Sequence, residues 1–445
     1  MRKNEIDIIT LGCSKNLVDT ERLMRQLELA GYTCVHDSPI PKGEMAIINT
    51  CGFIGDAKEE SIEMILQFAE RKNRGKLRKL YVMGCLSQRY SKELPTEIPE
   101  VDGWFGKFDY LGIVKEVQQF RNLEVQQIPS ETYERTLTTP SHYAYLKIAE
   151  GCNRYCSYCA IPLITGKFTS RTIEDILAEV KWLVDKGIKE FNLIAQDLSS
   201  YGLDIYGEHR LAHLLDQMAQ ISGVEWIRIH YTYPTDFPYD ILPIMAKHSN
   251  ICKYMDIALQ HCSDHMLHLM RRHITRQQQD ALIQRIRQEV PGICLRTTLL
   301  VGHPGETEED FAELCEWVKT MKFDRLGAFA YSEEEGTFAA RHYTDDIPQE
   351  VKDRRVETIM DIQQTISADI LSQMVGTQQR VIIDREEPLY YIGRTQFDSP
   401  EVDCEVLIAK ADDETTKPKG DKLKIGEFYT VNIIKSEEFD LYAEI

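Results

Sequence analysis

At 445 residues the chain has room for about three domains and for sizeable cores that need no disulfide staples. Its 43% hydrophobic and 28% charged residues exclude a disordered, a collagen-like or a membrane-bundle protein, and no run approaches the ~18 apolar residues of a spanning helix. With 52 basic against 71 acidic residues the net charge is −19, which repels phosphate backbones at long range, keeps the protein soluble and attracts basic partners. The start, MRKNEIDIIT, places Glu5 and Asp7 where a signal peptide would be apolar, so a cytoplasmic protein with no membrane role is expected.

Residues 1–135 alternate short apolar strands (Ile6–Thr10, Met45–Asn49, Leu80–Met83) with amphipathic helices (Val18–Ala30, Lys58–Arg71). That alternation predicts an open parallel α/β sheet. Gln127–Pro140, with Pro129, Ser130 and Pro140, reads as a linker. In residues 136–375 the alternation restarts. Strands are expected at Tyr143–Ala149, Glu190–Ala195, Glu225–Tyr231, Tyr254–Leu259, Ile293–Val301 and Asp324–Tyr331. Helices such as Thr172–Lys186 and Thr307–Met321 lie between them, and Gln349–Gln373 closes the block. Six strand–helix units fall short of a complete eightfold barrel, so a partial (β/α)6 barrel is expected, with a doubly wound sheet as the alternative. In residues 376–445, Gln379–Ile383, Cys404–Ile408 and Tyr429–Ile434 are rich in strand formers and separated by turns, which predicts a small OB-like β-barrel. Asp412–Lys424 reads as a solvated, charged hairpin.

Twelve cysteines in a reducing compartment are not expected to pair, and buried thiols are common. Two sets of three stand out. Cys152, Cys156 and Cys159 form CNRYCSYC in the loop after the first strand of the second block. Three thiolates at that spacing can converge on zinc, copper(I) or an iron–sulfur cluster. A structural zinc needs a fourth Cys or His, and the following Ala160–Leu163 offers none. A 4Fe-4S cluster on three thiolates leaves one iron open. Cys13, Cys51 and Cys85 each follow an apolar strand of the first block. Carboxyl ends of parallel strands share one edge, so these three can meet in space at a second metal site. Glycines 12, 52 and 84 beside them permit close backbone approach.

CNRYCSYC, with Tyr158 before its last cysteine, resembles the radical SAM signature. Further pieces resemble one subgroup, the methylthiotransferases, over essentially the whole chain. They are LGCSKNLVDTE at Leu11–Glu21, NTCGFI at Asn49–Ile54, GCLSQRY at Gly84–Tyr90, LIAQDLSSYG at Leu193–Gly202, LVGHPGETEEDF at Leu300–Phe311 and GRTQFDSPEVD at Gly393–Asp403, the last similar to a TRAM domain. The resemblance implies two 4Fe-4S clusters, one on Cys13, Cys51 and Cys85 and one on Cys152, Cys156 and Cys159. It also implies S-adenosylmethionine (SAM) as methyl donor and as source of a 5′-deoxyadenosyl radical, which takes a hydrogen atom from an unactivated carbon. Tyr158, Gln196, Gln260 and Arg272 are the SAM-side candidates. No protein acid or base is assigned. An external electron donor and a sulfur source are required.

Two substrates divide the subgroup: an adenosine of transfer RNA, and the β-carbon of an aspartate in ribosomal protein S twelve of the small subunit. LGCSKNLVD and LIAQDLSSYG resemble the ribosomal-protein branch, whereas the transfer RNA enzymes usually read GQN where Ala195-Gln196-Asp197 stands. The C-terminal block carries 16 acidic against 9 basic residues, which suits a basic protein better than RNA. Asp398 and Glu401, in turns, are expected to be exposed and to help recruit it. Nucleic acid is not expected as the main substrate. An inactive, metal-containing ribosome- or RNA-binding module is the reading from another class. Thr165 stands where the family usually has Arg, and His303 where Phe is commoner. Cys34, Cys252, Cys262, Cys294, Cys315 and Cys404 lack ligand spacing and read as core or partly buried thiols. His261, His265 and His268 have the spacing of one helical face, read here as a mixed polar helix rather than a metal site.

Overall fold

The computed structural model describes residues 1–107, 109–120, 133–410 and 422–445. The expected hairpin at Asp412–Lys424 therefore lies almost wholly outside the described residues, as does the 127–132 part of the expected linker.

The first sheet contains β1 (Arg2–Thr10), β2 (Thr33–His36), β3 (Gly43–Thr50), β4 (Lys79–Gly84) and β5 (Gly103–Trp104), all parallel in the order β2-β1-β3-β4-β5. Every residue of β3 is buried. Its run of apolar residues suits a strand covered on both faces. Met45 and Ile47 face one core with Ile6, Ile8 and Leu27, while Ala46 and Ile48 face another with Ile65, Phe68 and Val82. The period-2 alternation thus splits one strand between two helical layers.

The second sheet contains β6 (Tyr143–Lys147), β9 (Glu190–Ile194), β10 (Trp226–Thr232), β11 (Ile251–Gln260), β12 (Cys294–Val301) and β13 (Arg325–Ala330), again all parallel. A short antiparallel pair, β7 (Ala149–Glu150) and β8 (Thr169–Ser170), flanks it. The order follows the sequence without reversal. Right-handed crossovers then put the long connecting helices on one face, and the sheet curls into a partial barrel instead of winding doubly. One large core joins the convex face (Leu146, Leu193, Ile229, Ile257, Leu299) to the helices.

The last unit is a closed five-stranded barrel of β14 (Gln378–Glu386), β15 (Tyr390–Arg394), β16 (Val406–Ala409), β17 (Phe428–Ser436) and β18 (Leu441–Glu444), in the order β14-β15-β16-β18-β17. It seats on the amino ends of the second sheet. Glu190, the first residue of β9, pairs with Arg394 at 2.7 Å, and Arg325, the first of β13, pairs with Asp398 at 2.6 Å. Trp226, the first of β10, meets Phe428 edge-on at 4.8 Å. This corrects the expectation of exposure for Asp398 but not for Glu401, which is exposed. Asp398 is 1% exposed, accepts from Arg325 and Thr395, and is part of the seat. Glu401 accepts from the Tyr143 and Tyr145 hydroxyls. With the amino ends covered, the carboxyl ends stay open to the first block. Among the described residues no helix is long and apolar enough to cross a membrane.

Candidate metal and cofactor site

The carboxyl ends of β1, β3 and β4 bring Cys13, Cys51 and Cys85 together. Asn16 ties the three tips: its Nδ2 donates to Leu11 O at 3.0 Å and Thr50 O at 3.1 Å, and its Oδ1 faces the Cys85 thiol at 3.6 Å. Asn49 Nδ2 in turn donates to Asn16 O at 2.9 Å. Gly12 has φ +94°, and a side chain there would come within 2.9 Å of the Cys51 Cβ. Gly84 has φ +103° and would drive a Cβ into Thr50 backbone. Both positions exclude larger residues so that the strand tips close up.

Cys13 is the N-cap of the helix Ser14–Leu29. Burial opposes its ionisation, but Lys15, Lys107 and the backbone N–H groups of Asn16 and Lys15 outweigh it and hold the thiol below its ordinary range. Burial raises Cys51, and it pushes Cys85 up to about 12 with Lys107 opposing. An arriving metal takes the place of these protons.

The second set lies beyond β6 and β7. Cys159 N–H donates to Cys156 O at 3.1 Å, and Arg154 N–H points at Cys152 Sγ at 3.5 Å. Burial pushes the Cys152 thiol up to about 12 and raises Cys159 as well. Arg272, 2% exposed, donates to Cys156 Sγ at 3.2 Å and to Tyr158 Oη at 3.4 Å. Tyr233 Oη lies 3.5 Å from Cys156 Sγ, and the guanidiniums of Arg154 and Arg272 lie 4.3 and 4.1 Å from its ring centroid. Ser157 anchors the loop from behind, donating its N–H to Met270 O and pairing its hydroxyl with His303 Nε2 at 2.9 Å. A cavity of about 200 Å³ borders Cys156 and Cys159. Among the described residues no three His, Cys, Asp or Glu side chains are gathered tightly enough to grip a single metal ion. Around a cubane each thiolate binds a different iron, so its ligands stand farther apart than around one zinc. The donor chemistry, all thiol with glycine-cleared backbone, fits such a cluster.

The two sets face each other across a fastened interface. The helix Cys85–Arg89 packs on the helix Ile161–Thr165. Lys107 and Lys147 both grip Glu150 at 2.9 Å, Lys147 also pairs with Asp19, and Gln196 donates to Glu150. On the far rim, Lys58 and Arg89 share Glu334 at 2.8 and 2.7 Å.

Residues 5–106 match the family described as Uncharacterized protein family UPF0004, residues 146–318 the Radical SAM superfamily and residues 375–445 the TRAM domain. The chain is 59% identical, over all of both chains, to the ribosomal protein uS12 methylthiotransferase RimO of Phocaeicola vulgatus. It is 49% identical to that of Cytophaga hutchinsonii, covering 100% of this chain and 98% of the relative. The chain belongs to the RimO family of radical SAM methylthiotransferases. Among solved structures, the radical SAM methyltransferase TsrM of Kitasatospora setae shares the fold at TM-score 0.54 and 12% identity, over 85% of this chain and 77% of that one. Membership in the radical SAM superfamily brings SAM and a 4Fe-4S cluster as cofactors.

In this RimO family member Tyr158 and Arg272 lie against the second cysteine set. Gln196 follows β9 and is engaged by Glu150, and Gln260 ends β11 with φ +72°. Thr165 donates its hydroxyl within its own short helix, to Ile161 O. Among the extra histidines, the one-face expectation fails. His261 precedes the helix Asp264–Leu269 and pairs with buried Glu306 at 3.1 Å, while His265 pairs with Asp310 at 2.9 Å. Of the other cysteines, Cys34 is half-buried and the remaining five are buried. Sequence reasoning passed over Arg154, Asn16, Lys107 and Tyr233. Arg154 and Asn16 stand inside quoted motifs, whereas Lys107 and Tyr233 have no local signal.

Proposed function

We propose that the protein methylthiolates the β-carbon of an aspartate in ribosomal protein uS12. We assign residues 1–135 to a first cluster on Cys13, Cys51 and Cys85, residues 136–375 to the radical SAM cluster on Cys152, Cys156 and Cys159, and residues 376–445 to substrate docking. The carrying observation is the pair of thiol sets at the open carboxyl edges of two sheets clamped face to face. The high identity to RimO enzymes supports the substrate, as does the acidic β-barrel, which complements a basic protein.

When bound, SAM and iron–sulfur clusters supply the one-electron chemistry that breaks an unactivated C–H bond. The chain's own work is positional. Arg272 and Tyr233 hold the Cys156 sulfur, and Arg272 with Tyr158 forms the SAM-side wall along with Gln196 and Gln260. Asn16 fixes the spacing of the first three sulfurs. The Lys107–Glu150–Lys147–Asp19 network closes the interface against water. An electron donor and a sulfur source act from outside.

The test is anaerobic reconstitution. Wild type should carry about eight irons. Cys51→Ala should lose roughly half, cleave SAM when reduced and fail to methylthiolate. Cys156→Ala should lose SAM cleavage. Loss of all iron from Cys51→Ala, or 5′-deoxyadenosine from Cys156→Ala, would contradict the two-site assignment.

A further inference from the structure

Among the described residues four lysines are buried: Lys15, Lys107, Lys147 and Lys352. Three grip carboxylates. Lys107 and Lys147 share Glu150, and Lys352 holds Asp345 at 2.6 Å. Lys15 is 8% exposed, and its ammonium has no hydrogen bond and no ion pair among the described residues. Its Nζ lies 3.6 Å from the ring centroid of Tyr231. A buried ammonium without a carboxylate is costly, and a cation–π contact offsets only part of that cost. Asp256, an acid on which its charge acts, already faces Arg296 at 3.4 Å.

The placement makes this lone charge useful. Lys15 is two residues from Cys13, in the first turn of the helix Ser14–Leu29, a turn that contains no acid. Leu17 and Val18 of that helix pack with Tyr143, Tyr145 and Tyr231 of the barrel, so Lys15 stands where the first cysteine set meets the barrel's inner wall. Tyr231, which orients the ammonium, is held at φ +58°, a left-handed conformation unfavourable for an aromatic residue.

We propose that Lys15 is the anchor for the carboxylate of the substrate aspartate, completed as an ion pair only when substrate enters. The proposal rests on the uS12 reading above. An aspartate carboxylate is one bond from the β-carbon. Pinning it to an ammonium two residues from Cys13 holds that carbon beside the first cysteine set, with the second set across the interface. Asparagine, which is isosteric and neutral, would leave Lys15 unpaired, and so would an adenosine. The residue therefore selects substrate as well as placing it.

The test uses reconstituted holoenzyme and uS12 with its target aspartate intact or replaced by asparagine. Binding affinity, KM, kcat and iron content are measured. Wild type should bind the aspartate form roughly tenfold or more tighter than the asparagine form, as expected of a charge-assisted contact. Lys15→Met should bring that ratio to about one and raise KM for the aspartate form to match, with full iron content; Lys15→Arg should keep part of the preference. A ratio unchanged in Lys15→Met would overturn the proposal, and so would loss of iron in that variant, which would assign the ammonium to the cluster instead. Wild type that leaves the uS12 aspartate unmodified would overturn the functional reading itself, an outcome visible before any variant is made.

Discussion

Gly12 shows how much of the site depends on absent atoms. Alanine there would have to adopt φ +94° and place its Cβ 2.9 Å from that of Cys51. The backbone cost is about 1 kcal/mol, but the displaced Cys51 matters more. Gly12→Ala should lose roughly half of the reconstituted iron, the loss expected of Cys51→Ala, and keep SAM cleavage; iron analysis with a 5′-deoxyadenosine assay reads both. His303 gives a pH signature. Burial chiefly lowers its imidazole to about 4, against the usual 6.5. Between those values the unfolded chain binds a proton that the folded one refuses. Stability is therefore complete above pH 6.5 and falls on acidification toward 4, by at most about 3 kcal/mol. Urea midpoints of the metal-free protein near pH 5 and pH 7 should differ less in His303→Phe than in wild type. At this scale six cysteines could be singled out in the sequence, three by their CxxxCxxC spacing and three by their places just after apolar strands. Asp398 was not legible: a DSP turn reads as exposed, and its pairing with Arg325, distant in sequence, has no local signal.

The element that joins the domains is the helix Ser14–Leu29. It supplies the Cys13 cap at one end, Asp19 to the interface network and Glu21 to Arg135. Arg135, 3% exposed, also reaches Glu179 at 3.0 Å and Tyr145 O at 2.6 Å, stitching the helix to β6 and to the helix Ile173–Asp185. Arg135→Met should destabilise by about 3–5 kcal/mol, because Glu21 is left buried and uncompensated; a calorimetric scan should show a lower Tm, and adding Glu21→Gln should recover part of it. If the single variant melts like wild type, Arg135 is not the stitch described. The six long strands of the second sheet were legible from apolar periodicity. Strands β2, β5, β15 and β18 were not, since they owe their pairing to neighbours in other segments and carry little apolar periodicity of their own. Closure of the last barrel is likewise a long-range event, β16 pairing parallel with β18 and β14 antiparallel with β17.

On the scale of the whole molecule the β-barrel covers the amino ends of the central sheet and the first domain faces its carboxyl ends. Under the proposed function the chemistry takes place between the two cysteine sets. The decisive measurement offers reconstituted enzyme, SAM and one reductant to uS12 and to transfer RNA in the same vessel, followed by mass spectrometry of both. A methylthio group on the uS12 aspartate with unmodified adenosine is the predicted result. Modified transfer RNA beside untouched uS12 would contradict it.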